Sequence, residues 1–299
     1  MSAVHDPSTP TPPSEDQAPA SRSEASGPTA YESRAARRTA LRAGQERPRA
    51  ASRRPLVVLA VIGLSTLVLL AGYAHPVLLA AAVALTGIVM ASGWPDLLGA
   101  PVPRIPRLLL ALVALAGPVV VATTGADPYL RRVPLVVAVG LLLVVFHQLF
   151  RRDGRPRLTE AISISAAGIA VLACGVAFVP LARILGGSDV VACTGAALAA
   201  SALADLLVGR RGVHAWLLPL AMLLGGWASA GAAVLAGSPR VGQAVLLGFL
   251  IGAVSHALRR VFAVLPSMGS GSSQLASAAS SVLVCGVVAF VFARLILGA

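Results

Sequence analysis

Nine runs of largely apolar residues, each about long enough to cross a bilayer as a helix, follow one another from Leu56 almost to the C-terminus of this chain. A helix needs about 20 such residues to span the hydrocarbon core. Inside that core only a helix or a closed barrel satisfies its own backbone hydrogen bonds. The runs predict spans near 55–73, 76–94, 107–124, 133–150, 161–183, 189–208, 215–236, 241–263 and 275–297. The expected fold is therefore all-α, a polytopic transmembrane helical bundle over residues 55–299. The first hairpin is the least defined boundary, because Gly72-Tyr73-Ala74-His75-Pro76 must turn the chain between two long apolar runs; eight and ten spans are the alternatives.

Composition agrees, with 57% hydrophobic and 12% charged residues, where soluble domains carry about 25% charged residues. No lysine and no asparagine occurs, which points to a GC-rich bacterial genome. Without lysine there is no complete P-loop and no lysine Schiff base. The net charge of +12 resides in arginines of the first 54 residues and of short loops. With no basic face interleaved with aromatics, nucleic acid is not an expected partner. Cys174, Cys193 and Cys285 all fall inside apolar runs, as small buried residues do, without metal-site spacing.

Residues 1–54 lack apolar periodicity and are rich in Pro, Ser, Ala, Glu and Arg, so they are expected to form a disordered tail. Arg34, Arg37, Arg38, Arg42, Arg47, Arg49, Arg53 and Arg54 lead into the first span, where they suit anionic lipid headgroups. That first run is long enough to span and lacks a small-residue cleavage site, so it is expected to be an anchor and not a cleaved signal. With the tail inside, Arg104, Arg107, Arg151, Arg152, Arg155, Arg157, Arg210, Arg211, Arg259 and Arg260 are cytoplasmic, whereas Arg131, Arg132, Arg183, Arg240 and Arg294 lie outside. The positive-inside rule thus favours a multi-pass protein of the cell (inner) membrane with a cytoplasmic N-terminus.

A weak internal repeat accompanies this layout. Residues 91–98 (A-S-G-W-P-D-L-L) resemble 200–207 (A-S-A-L-A-D-L-L), and the offset between Asp96 and Asp205 also separates His147 from His256. Farther on, V-L-A-C-G-V ending at Val176 resembles V-L-V-C-G-V ending at Val287. One helix followed by two sets of four, over 76–186 and 189–298, would give parallel halves.

Ionisable residues near membrane spans are site candidates because they are costly there. Asp205, His256, Asp96 and His147 are accordingly the candidates for a ligand or ion, each toward the cytoplasmic end of its helix. Glu160 reads as a helix-start carboxylate, and Gly269-Ser270-Gly271-Ser272-Ser273 as a flexible loop. No catalytic residue, metal site or cofactor is expected. Ala221, Gly225, Ser229 and Ala233 recur every four residues, a stripe that packs helices closely within the chain, in a homo-oligomer or against a partner membrane protein.

A-D-L-L-V-G-R-R-G at 204–212, within the stretch from Arg151 to Arg211, is similar to the D-x-x-A-Y-x-x-G-R-x-x-G segment of bacterial phosphatidate cytidylyltransferases. The resemblance implies a scaffold of short membrane helices and carries Asp205, Gly209 and Arg210 over to that motif. It breaks at Gly212-Val213-His214-Ala215-Trp216, where the family has S-P-K-K-T-W-E-G, and at Pro266–Gln274, which lacks the family's charged C-terminal signature. Asp205 is the last acidic residue of the chain, and metal-assisted nucleotide transfer needs several carboxylates. The expected function is therefore permease-like, with a non-catalytic assembly or lipid-interacting module as the alternative and a cytidylyltransferase-like enzyme disfavoured.

Overall fold

The structure is a computed structural model that describes residues 54–100, 103–150, 157–208 and 214–297. Among these are nine helices long and apolar enough to cross a membrane, and no strand. They are α1 (Pro55–Ala74), α2 (Pro76–Leu97), α3 (Arg104–Ala122), α4 (Val133–Phe150), α5 (Leu158–Val176), α6 (Gly187–Leu203), α7 (Leu217–Ala236), α8 (Val241–Ala263) and α9 (Gly271–Leu297). The protein is an integral membrane helical bundle. The predicted tail, apart from Arg54, lies outside the described residues, as do Arg151, Arg152, Arg155, Gly209, Arg210 and Arg211.

Local chemistry explains the boundaries. A single extended residue, His75, separates α1 from α2, and its Nδ1 accepts from the Val77 N–H at 3.2 Å. Pro55 and Pro76 occupy first-turn positions, where a missing N–H costs nothing. The expected span at 161–183 starts earlier and breaks, with α5 ending at Val176 and a 3₁₀ turn at Val179–Arg183. Likewise α6 ends at Leu203 and a 3₁₀ turn, Ala204–Leu207, carries Asp205. The expected loop at 269–273 is shorter than predicted: Ser270 caps α9 by accepting from the Ser273 N–H at 3.3 Å. Asp96 belongs to α2, which continues past Pro95 to Leu97.

The bundle turns soluble-protein logic inside out. Ser65, Thr86, Ser165, Ser201, Ser280 and Ser281 are buried, each donating to a carbonyl of its own helix, while Leu59, Leu108, Leu135, Leu142 and Leu235 face outward. Small interior residues admit close backbone approach, and hydroxyls on them keep a partner without water. The four-residue stripe on α7 is used in this way within the chain. Ala221, Gly225, Ser229 and Ala233 are buried, and a Cβ on Gly225 would lie 2.5 Å from the Gly248 carbonyl oxygen of α8.

Neighbouring helices pack in sequence within both sets of four, but the diagonals differ. In the first set α3 packs on α5; in the second α6 packs on α8. Helix α9 packs against α1, α2, α5 and α8, whereas α4 packs against α3 and α5. This difference decides which side chains meet at the helix ends.

Replacing Gly248 by leucine should disrupt the α7–α8 crossing, because the new side chain meets the Gly225 carbonyl. Overpacking of this kind costs about 1–3 kcal/mol. Thermal unfolding in detergent should show a marked loss for Gly248→Leu, and no loss for Gly63→Ala, where a Cβ meets nothing within 4 Å.

Candidate functional site

A carboxylate at the C-terminal end of a helix faces the negative end of the helix dipole and needs a cation nearby. Asp205 is in that position just after α6, and α8 supplies the cation. Its Oδ2 accepts from Arg259 Nε at 2.6 Å. Its Oδ1 lies 2.9 Å from His256 Nδ1. Spacing of three on α8 puts His256 and Arg259 on the same face, with Ser255 one turn before Arg259. The Arg259 guanidinium also donates to Ser255 Oγ and to the Ser201 carbonyl of α6. His256 and Arg259 are 2% and 4% exposed, so the cluster is a buried clamp between α6 and α8.

Asp96 has the equivalent place at the end of α2, yet its partner is Arg107 of α3. His147 is half-buried in the last turn of α4. The four sequence candidates thus contribute to different arrangements: Asp205 meets His256, while Asp96 is engaged by a residue from the adjoining helix. Glu160 pairs with Arg157 at the start of α5. Cys193 and Cys285 are buried and Cys174 is half-buried, all as free thiols.

The Asp205–Arg259 pair forms one wall of a small cavity of about 50 Å³ that opens to solvent. Arg54 enters from the start of α1, Arg260 from α8 and Ser277 from α9, with Val57 and Met268 as apolar walls. Arg54 Nη1 and Ser277 Oγ are buried and have no hydrogen-bond partner among the described residues. Burial lowers the pKa of the Arg54 guanidinium from its usual value, since the cavity removes water from the charge. Three guanidiniums therefore surround a space in which one carboxylate is already bonded to Arg259. The ionisable side chains around it are thus three arginines against one aspartate.

Arg54 and Ser277 were not separable from their neighbours by sequence. Arg54 is one of nine arginines before α1, and Ser277 is one of six serines between positions 270 and 281. Among the described residues no group of three or more His, Cys, Asp and Glu side chains converges as a metal site would require. Comparison with protein-family models, with curated proteins and with solved structures finds no match for this chain.

Asp205→Asn should destabilise the protein strongly, because it leaves the Arg259 charge buried without its counter-ion. Breaking one side of a buried pair costs about 3–5 kcal/mol, whereas replacing both partners by apolar residues is often neutral. Thermal unfolding of Asp205→Asn should show the large loss, and the double variant Asp205→Leu with Arg259→Met should recover most of it.

Proposed function

We propose that this membrane protein is a non-catalytic lipid-interacting module that holds an anionic headgroup in the Arg54 cavity. The observation that carries this reading is the pair of buried groups unpartnered among the described residues, Arg54 Nη1 and Ser277 Oγ, beside a cavity bearing Arg259 and Arg260. A phosphate in the cavity would offer acceptor oxygens to these donors, and charge-assisted bonds to arginine are the stronger class of hydrogen bond. The position agrees with it: the cavity lies where α1 begins and α6 and α8 end, at the level a headgroup occupies if the helices span the bilayer. The arginine distribution favours the cytoplasmic leaflet of the cell membrane for this end, where anionic lipids and an arginine-rich approach would attract each other.

The resemblance of residues 204–212 to phosphatidate cytidylyltransferases is compatible with such a module. Asp205 is bonded to Arg259 and faces His256, so it supplies no free carboxylate pair for metal-assisted transfer. Transport is the second reading, favoured by the Asp205 clamp, which joins two helices beside a cavity and whose rupture would let α6 and α8 move apart.

The two readings separate in one preparation. The full chain, reconstituted in vesicles of phosphatidylcholine with or without phosphatidic acid, should retain phosphatidic acid through delipidating washes. Arg54→Ala should reduce that retention roughly tenfold, the size expected for losing a charge-assisted bond to a partly buried group. Equal retention of both lipids by the wild type would refute headgroup binding. Solute flux into the vesicles that Asp205→Asn abolishes would favour transport.

A further inference from the structure

A second, open groove lies at the other end of the helices from the Arg54 cavity. It runs between α1, α6 and α7, has an empty volume of about 1080 Å³ including its open side, and is walled by Ala192, Ala196, Ala228, Gly231 and Ala232. Its walls are low because these side chains end at Cβ or lack one, while Leu235 beside it is 91% exposed. Along α7 the lining extends from Ala228 to Ala236, about 12 Å at the helical rise. That is most of one leaflet's share of a hydrocarbon core about 30 Å thick.

The polar end of the groove is specific. Tyr73, half exposed at the end of α1, marks the interface level favoured by tyrosine. Its hydroxyl donates to Asp189 Oδ1 at 3.0 Å, which leaves Oδ2 as an acceptor. Asp189 sits in the first turn of α6, where the helix dipole already stabilises its charge. No described cation pairs with it: Arg183 is bonded to the carbonyls of Ala122 and Thr124, and Arg294 to Asp127. A ligand here meets an apolar channel one leaflet deep that ends in a carboxylate offering a lone acceptor.

We infer that this groove holds a lipid of the surrounding leaflet by one acyl chain and selects a primary-amine headgroup through Asp189. The chain displaces no water-filled polar surface, because every wall residue below Asp189 and Tyr73 is apolar. The amine donates to Asp189, which a quaternary ammonium has no hydrogen to do. Selectivity between two headgroups of the same net charge then rests on donor count alone.

The test uses the full chain in nanodiscs of equimolar phosphatidylethanolamine and phosphatidylcholine, with retained lipid identified by mass spectrometry after detergent washing. The wild type should retain phosphatidylethanolamine about fivefold over phosphatidylcholine, the scale of one partly exposed charged contact. Asp189→Asn should bring the ratio near one and leave total lipid unchanged. Ala232→Leu, which fills the groove, should reduce both lipids together. Tyr73→Phe keeps the carboxylate and should keep the preference, which guards against a general loss of folding in the Asp189 variant. A wild-type ratio of one, a preference that survives Asp189→Asn, or a dimer mass that Ala232→Leu dissociates would each overturn the inference.

Discussion

In a hydrocarbon solvent, burying apolar side chains gains almost nothing, so close contact between helix backbones has to hold the bundle together. The crossing of α7 and α8 shows how this constraint is met. Gly225 lies against Gly248, and a Cβ at Gly252 would be 2.5 Å from the Ala221 carbonyl oxygen. The large leucines are consequently displaced outward, where lipid solvates them, and the interior fills with alanine, glycine and serine. Many of the buried hydroxyls find their partner in a carbonyl of their own helix. Among the described residues Thr194, Ser229 and Ser277 are hydroxyl exceptions, and of these Ser277 lines the cavity that Arg54 also lines.

The same constraint organises the charges. Asp96 and Asp205 both end a helix, and both are neutralised by arginine from a neighbouring helix. The source of the arginine follows the packing: α3 supplies it in one case, and α8, which packs diagonally on α6, supplies it in the other. The two ends of the helices also differ in chemistry. One gathers guanidiniums around a cavity, and the other presents a single carboxylate above an apolar groove.

Helix number and position were legible because a span is encoded by length and hydropathy alone, and all nine apolar runs became helices among the described residues. Ends were read less well, since Pro95 in the last turn of α2 and Ser270 as the cap of α9 depend on local hydrogen bonds that hydropathy does not register. The meeting of Asp205 with His256 could be suspected from their intramembrane placement, but the role of Arg259 could not. Its charge reads as topology until α8 is seen to turn it inward. Arg54 and Ser277 come together from helices far apart in sequence, and no spacing rule links them.

The helices are unequal in length. The span that includes α9 covers 26 residues and that of α4 covers 18, or about 39 Å against about 27 Å at the helical rise. A core about 30 Å thick cannot match both at once. A bilayer that both helices span therefore meets unequal hydrophobic lengths at α9 and at α4, a mismatch that tilt of the longer helix or local thinning beside the shorter one would absorb.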